Sequence, residues 1–147
     1  MSHENHQPVT SSVGEIANLV EIQDVATVAF SAERLEPGNG QNLHLSMNAG
    51  AASADRSLSF KFDVTGQLVD EDSKPVANLS ISLVATYAPR DKSLDAWVDE
   101  KDQEALKLFC DAIAWRDVYP FVREGVASLM AKLGIHGCQL PVLRLED

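Results

Sequence analysis

The sequence has few of the residues that form stabilising disulfide bonds or bind metal ions. Only two cysteines occur among 147 residues, Cys110 and Cys138, and they do not form a CxxC motif. Two structural thiols are therefore predicted, and no disulfide framework or cysteine zinc site. The histidines, at positions 3, 6, 44 and 136, have no spacing that suits a metal ion. We predict no metal and no cofactor.

Basic residues and long apolar runs are also scarce. Twelve Lys and Arg residues stand against 22 Asp and Glu residues, which gives a net charge of −10. Binding to phosphates needs a concentrated cationic surface, so nucleic acids and anionic membranes are not predicted partners. No apolar run reaches the roughly 18 residues of a membrane-spanning helix. The first residues lack the pattern of a secretory signal, so a cytoplasmic protein is expected.

Motifs of common enzyme classes are missing from the sequence. It contains no glycine-rich phosphate loop, no HExxH and no GxSxG. His44 falls on the polar side of a predicted strand, and the acidic clusters fit a turn and a helix start. We predict a protein that is not an enzyme. A small α+β enzyme or ligand-binding domain with a pocket between sheet and helix is the alternative, and an interaction adaptor is a third reading.

Alternating polarity dominates the first two thirds of the chain. Residues 1–14 are polar and without periodicity, which predicts a disordered tail before one domain at 15–147. Period-two alternation then predicts four strands, at 19–32, 43–49, 58–69 and 77–87. The first strand loses its alternation at Asp24, which indicates a bulge. The connections favour an antiparallel meander with one apolar face.

Helical spacing replaces the alternation after Pro89. Apolar residues recur every three or four positions, and Asp117 fits the N-cap of a helix that begins at Val118. This places a break at Tyr119-Pro120 and a separate or kinked segment before it. The predicted fold class is α+β, a four-stranded antiparallel sheet with a long, kinked C-terminal helix on one face. The helix carries more apolar surface than so small a sheet needs, which indicates oligomerisation or a binding groove.

The stretch YPFVREGVASLMAKLG, followed by QLPVL, resembles the signature of the SecB family of export chaperones. The aromatic-Pro-aromatic-x-Arg-Glu part of that signature falls on Tyr119, Pro120, Phe121, Arg123 and Glu124. Its remaining positions are Ser128, Lys132, Gly134, Gln139 and Leu140. Upstream, VEIQDVATVAFSAE is similar to the first strand of the family, so the resemblance covers about residues 19 to 145.

The resemblance implies a holdase, a chaperone that binds unfolded polypeptides (its clients) without ATP. Clients would lie in apolar grooves between sheet and helix, and protomers would pair into dimers or tetramers. The aromatic-Pro-aromatic-x-Arg-Glu part would belong to the oligomer interface. The residues expected to line the client groove are Leu43, Leu45, Met47, Leu129, Met130 and Leu133.

The chain also departs from the housekeeping members of that family. Those members continue into a second helix and an acidic tail that contacts the export motor SecA, whereas this sequence stops at Asp147. The difference weakens the expectation of SecA docking. It favours the solitary SecB-like chaperones encoded beside toxin-antitoxin pairs. The expected clients are unfolded polypeptides, either export preproteins or an aggregation-prone antitoxin.

Overall fold

A computed structural model describes residues 13–38, 40–54, 57–91 and 103–136. The predicted α+β class is confirmed, since four antiparallel strands precede a long helical segment. Its elements in chain order are α1 (Val13–Leu19), β1 (Val20–Arg34), β2 (Asn42–Ala54), β3 (Ser57–Val69), β4 (Pro75–Pro89), α2 (Gln103–Phe109), a π-helical turn (Cys110–Ala114) and α3 (Trp115–Lys132).

Two predicted segments fall at or beyond the limits of the described chain. Most of the predicted tail, residues 1–12, and the apolar stretch from residue 137 lie outside the described residues. Val13 and Gly14, which the tail was expected to include, instead begin α1. The one buried residue of α1 is Ile16, which anchors this short helix to the core.

The strand order is β1-β4-β3-β2, so the sheet is not a meander of successive neighbours. The connection from β1 to β2 passes over the end of the β3–β4 hairpin. There the Leu35 N–H donates to the Val76 carbonyl at 2.8 Å, and the Gln41 N–H donates to the Val69 carbonyl at 2.8 Å. This is the Greek-key arrangement, in which a fourth strand returns beside the first of three hairpin strands. As a result, β1 and β2 form the two edges of the sheet.

Both edge strands differ in detail from the alternation pattern. The predicted bulge in β1 is confirmed between Ile22 and Asp24, and a second register shift lies between Thr27 and Ala29. The end predicted for the second strand, at residue 49, is wrong, because β2 stays paired with β3 as far as Ala54. Small side chains weaken a strand only modestly, and a continuous ladder to β3 outweighs that propensity.

The core lies between the sheet and the helical segment. Alternate residues of β3 and β4 are buried on one face, as predicted, and meet the buried side of α2 and α3. Aromatic rings join the layers, with the Phe60 and Phe109 centroids 5.4 Å apart and those of Tyr87 and Phe109 5.2 Å apart. Such ring pairs contribute about 0.5–1.5 kcal/mol each beyond their buried area.

The helical segment is continuous across the predicted break. Asp117 is not an N-cap, because α3 begins at Trp115 and Pro120 lies inside it. The irregularity comes earlier, in the π-helical turn, where the Trp115 N–H reaches back five residues to the Cys110 carbonyl. A proline inside a helix lacks the N–H for the carbonyl four residues before it, here that of Arg116, which lies after the π-helical turn.

The C-terminal end of α3 is closed by Gly134, as predicted. Gly134 adopts φ 76°, its N–H donates to the Ala131 carbonyl at 3.0 Å, and the Ile135 N–H donates to the Met130 carbonyl at 2.9 Å. This pair of bonds is a Schellman motif, and buried Ile135 supplies its usual apolar contact. The Arg34 Nη1 donates to the Leu133 carbonyl at 2.6 Å and so ties the same helix end to β1.

Candidate client-binding clefts

The helical segment crosses the sheet diagonally and leaves clefts on both sides. At its start, Leu106 and Cys110 share a cleft with β2. Near its middle, Gly125 lies so close to Ile81 of β4 that an added Cβ would come 2.9 Å from the Ile81 Cδ1 atom. At its end, Leu133 is bonded to Arg34 of β1. A single helix on this path cannot cover the helix side of both edge strands.

The β2 cleft lies between edge strand β2 and the start of the helical segment. It has a volume of about 560 Å³. Its lining combines apolar or small residues with a polar rim: Met47, Asn48, Ala49, Gly50, Ala51, Gln103, Leu106, Lys107, Cys110 and Asp111. Met47 is 37% exposed, and its cross-strand partner Val64 is buried, so its side chain shares the sheet face that carries the helix.

The one thiol in the β2 cleft is not an activated nucleophile. Burial, with a smaller contribution from the charge of Asp111, raises the pKa of Cys110 from 9.0 to about 11. The thiolate is the reactive form of cysteine, so a raised pKa keeps this group inert near neutral pH. The cleft therefore offers apolar contact surface and backbone groups of an edge strand, with no activated group among its described residues.

The β1 cleft lies on the opposite side of the helix, between β1 and α3. It has a volume of about 230 Å³, and its lining residues are Thr27, Phe30, Ile81, Glu124, Gly125, Ser128, Leu129 and Lys132. Phe30 is the most exposed large apolar residue described, at 63%. It pairs with buried Ile81 across β1 and β4 and so faces the helix side of the sheet without being covered. This is an unsatisfied apolar surface beside an open strand edge.

A third cleft, of about 470 Å³, lies where α1, the start of β1 and the helical segment meet. Its lining includes both cations and anions, among them Glu21, Arg90, Arg116 and Asp117. The Tyr87 hydroxyl, at its floor, donates to the Asp117 Oδ2 atom at 2.7 Å. Burial raises the pKa of Tyr87, and the hydrogen bond to Asp117 raises it further. This cleft differs from the other two in its larger number of charged side chains, four among its lining residues.

The six residues predicted to line one client groove fall in different places. Met47 lines the β2 cleft, and Leu129 lines the β1 cleft although only 5% exposed. Met130 is buried in the core at 2%, while partly buried side chains pack against the core at Leu43, Leu45 and Leu133. Their role in binding stays a prediction, and the structure places only Met47 and Leu129 on described clefts.

The aromatic-Pro-aromatic-x-Arg-Glu residues of the signature lie on α3 and differ in exposure, whereas Gln139 and Leu140 lie outside the described residues. Tyr119 is buried against Trp115, with ring centroids 5.6 Å apart, whereas Pro120 and Phe121 are exposed. Arg123 and Glu124 are also exposed, and Glu124 borders the β1 cleft. The role of these residues in an oligomer interface stays a prediction. Phe121, at 45% exposure, is its largest apolar element.

Sequence reasoning missed several residues that form the clefts. Leu106 and Cys110 are core residues that also line the β2 cleft, and Gly50 and Ala51 lie beyond the strand predicted at 43–49. Their position on a cleft depends on the diagonal path of the helix, which no local pattern encodes. Phe30 could have been found, because a large aromatic on an edge strand is a signal of an unpaired surface.

The face of the sheet away from the helix is polar. Ser82 donates to the Asp63 Oδ1 atom at 2.6 Å, and Lys61 lies 3.8 Å from the same oxygen. His44 is exposed on this face and lines none of the three clefts. Among the described residues, no group of three or more His, Cys, Asp and Glu could hold a metal ion. No helix in the described ranges is long and apolar enough to cross a membrane.

Comparison with known proteins supports the fold. No protein-family model matches the sequence, and no curated protein matches it significantly. Among solved structures, the chain is similar to the SecB-like chaperone Rv1957 of Mycobacterium tuberculosis, solved in complex with a ChAD peptide from the Rv1956 HigA1 antitoxin. The TM-score is 0.72 at 19% identity, over 92% of this chain and 99% of the other. The chain therefore has a SecB-like fold.

Proposed function

We propose that this protein is an ATP-independent holdase that binds unfolded polypeptides in the β2 cleft. The observation that carries the proposal is an open cleft with apolar and small residues on its wall beside β2, an edge strand of the described sheet, in a chain with a SecB-like fold. A holdase requires exposed apolar surface and main-chain contacts rather than a reactive group. Both are available along β2, where Met47, Ala49 and Ala51 line the cleft.

Small side chains suit this edge to many different client sequences. Ala49, Gly50 and Ala51 leave the backbone of β2 accessible, so an extended polypeptide can approach as an added strand. Apolar side chains of the client then contact Met47, Ala49 and Ala51, which are exposed on the cleft wall. Met is a flexible, polarizable residue that adapts to varied partners, as at other promiscuous binding surfaces. Recognition would depend on exposed apolar segments rather than on one sequence.

The similar structure supports our choice of client class. Rv1957 is described with a peptide of the HigA1 antitoxin, so a segment of an antitoxin is our first candidate client for this chain. Export preproteins are the second. If export is the role, we propose that SecA docks on the polar face of β1, which carries Glu21 and Asp24 near its start and Glu33 near its end.

Self-association through β1 is part of the same proposal. β1 is a 15-residue edge strand, and the side chain of its residue Phe30 is exposed. Pairing with β1 of a second copy would satisfy the open edge and cover the β1 cleft. Helix residues such as Phe121 would then be available for contacts between dimers. We infer a homodimer or homotetramer on this basis.

Client binding is tested by a charge placed on either side of β2. Met47→Glu puts a carboxylate in the cleft, whereas Ser46→Glu puts one on the polar face of the adjacent position. We expect M47E to weaken binding of a fluorescently labelled, permanently unfolded polypeptide by on the order of tenfold or more, because burying a charge against apolar groups is costly. S46E should bind as wild type. Equal affinities for both variants would contradict the role of the cleft.

Self-association is tested by a matched pair on β1. Phe30→Lys charges the helix side of the edge, and Ala29→Lys charges the opposite face one residue earlier. F30K should lower the mass in solution measured by light scattering, and A29K should not. If wild type is a monomer at all concentrations measured, the self-association part of the proposal is wrong while client binding stands on its own test.

A further inference from the structure

The β2 cleft contains an exposed thioether. The sequence has three methionines, of which the structure describes two. Met130 is 2% exposed inside the core, whereas Met47 is 37% exposed on the cleft wall. The two described methionines therefore differ sharply in accessibility, and small oxidants react first with the more exposed sulfur. The accessible one lies where we place the client.

A second sulfur atom lines the same cleft and is protected. Cys110 is 5% exposed at the start of the π-helical turn. Burial also raises its pKa to about 11, so the thiol holds its proton near neutral pH. Oxidation of cysteine requires the thiolate and access to it, and Cys110 has little of either. Within the described part of the cleft, Met47 is therefore the sulfur that an oxidant meets first.

We propose that Met47 is an oxidation site that switches off client binding in the β2 cleft. The co-substrate is a peroxide. A lone pair on Met47 Sδ attacks one peroxide oxygen, an S–O bond forms and the O–O bond breaks. With hydrogen peroxide, the sulfur loses two electrons and each peroxide oxygen gains one. The oxygen bound to sulfur releases its proton to the departing hydroxide, which leaves as water. The product is methionine sulfoxide, which sulfoxide reductases convert back to methionine.

The consequence for binding follows from polarity, and it rests on the proposed function of the cleft. Methionine sulfoxide replaces an apolar, flexible side chain by a polar and chiral one. A client whose apolar side chains cover Met47 must desolvate the S=O group, and those side chains offer it no hydrogen-bond donor. Buried polar groups without partners are unfavourable, so we expect client affinity to fall on the order of tenfold.

The experiment treats the full chain with hydrogen peroxide and follows three readouts. Peptide mass spectrometry measures oxygen addition at each sulfur, circular dichroism reports the fold, and titration measures affinity for the labelled unfolded polypeptide. Met47→Leu is compared with itself before and after treatment, since it keeps Met130, Cys110 and the first methionine. We expect Met47 to oxidise before Met130 and Cys110, with loss of affinity and an unchanged fold. Peroxide should not change the affinity of M47L, and sulfoxide reductase should restore wild type.

Different failures have different meanings. Oxidation at Met47 that leaves affinity unchanged overturns the switch and leaves the holdase proposal intact. Oxidation that begins at Cys110, or an equal loss of affinity in M47L, also overturns it. If the untreated chain does not bind the unfolded polypeptide, the proposed function fails and the switch falls with it.

Discussion

The hydroxyl of Tyr87 donates a 2.7 Å hydrogen bond to the Oδ2 atom of Asp117. The bond joins the end of β4 to the first turn of α3, just after the π-helical turn. Asp117 was predicted to begin a helix. In the folded protein it instead fixes a helix that has already begun, because α3 starts at Trp115, two residues earlier, directly after the π-helical turn ends at Ala114.

Removal of this hydroxyl should destabilise the protein measurably. Tyr87→Phe leaves the half-buried Asp117 carboxylate without its donor, and a hydrogen bond to a charged group contributes about 1.5–3 kcal/mol. We expect a loss of free energy of unfolding in that range, measured by urea denaturation. Asp117→Asn retains a hydrogen-bond acceptor for Tyr87, so it should lose less free energy of unfolding than Y87F. If Y87F and wild type are equally stable, the bond does not fix the helix.

Alkaline pH should destabilise the fold through Cys110 and Tyr87. Both groups have a raised pKa in the folded state, so folding favours their protonated forms. For Cys110, the contribution is fully present below pH 9 and is lost as pH rises towards about 11. Its upper size is roughly 2–3 kcal/mol. Denaturation midpoints measured from pH 8 to 11 should therefore fall.

The control for this pH dependence is Cys110→Ala. It lacks the titrating thiol, so its stability should fall less steeply over the same pH range, whatever its stability at neutral pH. Parallel profiles for the variant and wild type would show that the decline comes from other groups.

A close contact at Gly125 predicts a coupling between two substitutions. A Cβ at this position would come 2.9 Å from the Ile81 Cδ1 atom, which Ile81→Val removes. Alanine is the better helix former by about 1 kcal/mol. We expect Gly125→Ala to be close to neutral in wild type, where crowding offsets propensity, and stabilising in the I81V background. Additive effects in the double-mutant cycle would contradict the contact.

Arg34 should stabilise the contact between β1 and the C-terminal end of α3. Its guanidinium donates to the carbonyls of Leu133 and Gly38, each at 2.6 Å, and to that of Glu36 at 3.2 Å. Cations near a helix C-terminus are favourable, and this one serves three carbonyls at once. We expect Arg34→Ala to cost about 1–3 kcal/mol by thermal or urea unfolding. Arg34→Lys should recover only part of this lost stability, since an ammonium group cannot bond to all three carbonyls at once. Full recovery of stability by the lysine variant would show that charge alone matters.

Local patterns predicted the layers of the fold and not their connection. Alternation identified β3 and β4 closely, because one face of each is buried against the helix. It could not show that β1 lies beside β4, since strand order depends on contacts between residues far apart in the chain. The π-helical turn was also hidden. Pro120 is the visible disturbance in the sequence, whereas the backbone adjusts ten residues earlier, beginning at Cys110.

The sequence predicted that the protein has an apolar binding groove, but it did not predict which residues form the walls of that groove. Surplus apolar helix surface and the family resemblance indicated a binding groove, and Met47 lines one. The wall opposite Met47 is formed by Leu106 and Cys110 rather than by the end of α3, because the helix begins beside β2 and ends beside β1. That diagonal path arises from the packing of two whole layers, and no spacing of residues within α3 specifies it.

The most direct test of the holdase proposal is protection of an unfolding client without nucleotide. The full chain is mixed at increasing ratios with a chemically denatured protein that aggregates on dilution, and light scattering follows aggregation. We expect suppression that saturates near a fixed stoichiometry, needs no ATP, is retained by S46E and is weakened in M47E. Aggregation that proceeds unchanged at every ratio, with the chain folded and intact, would contradict the account.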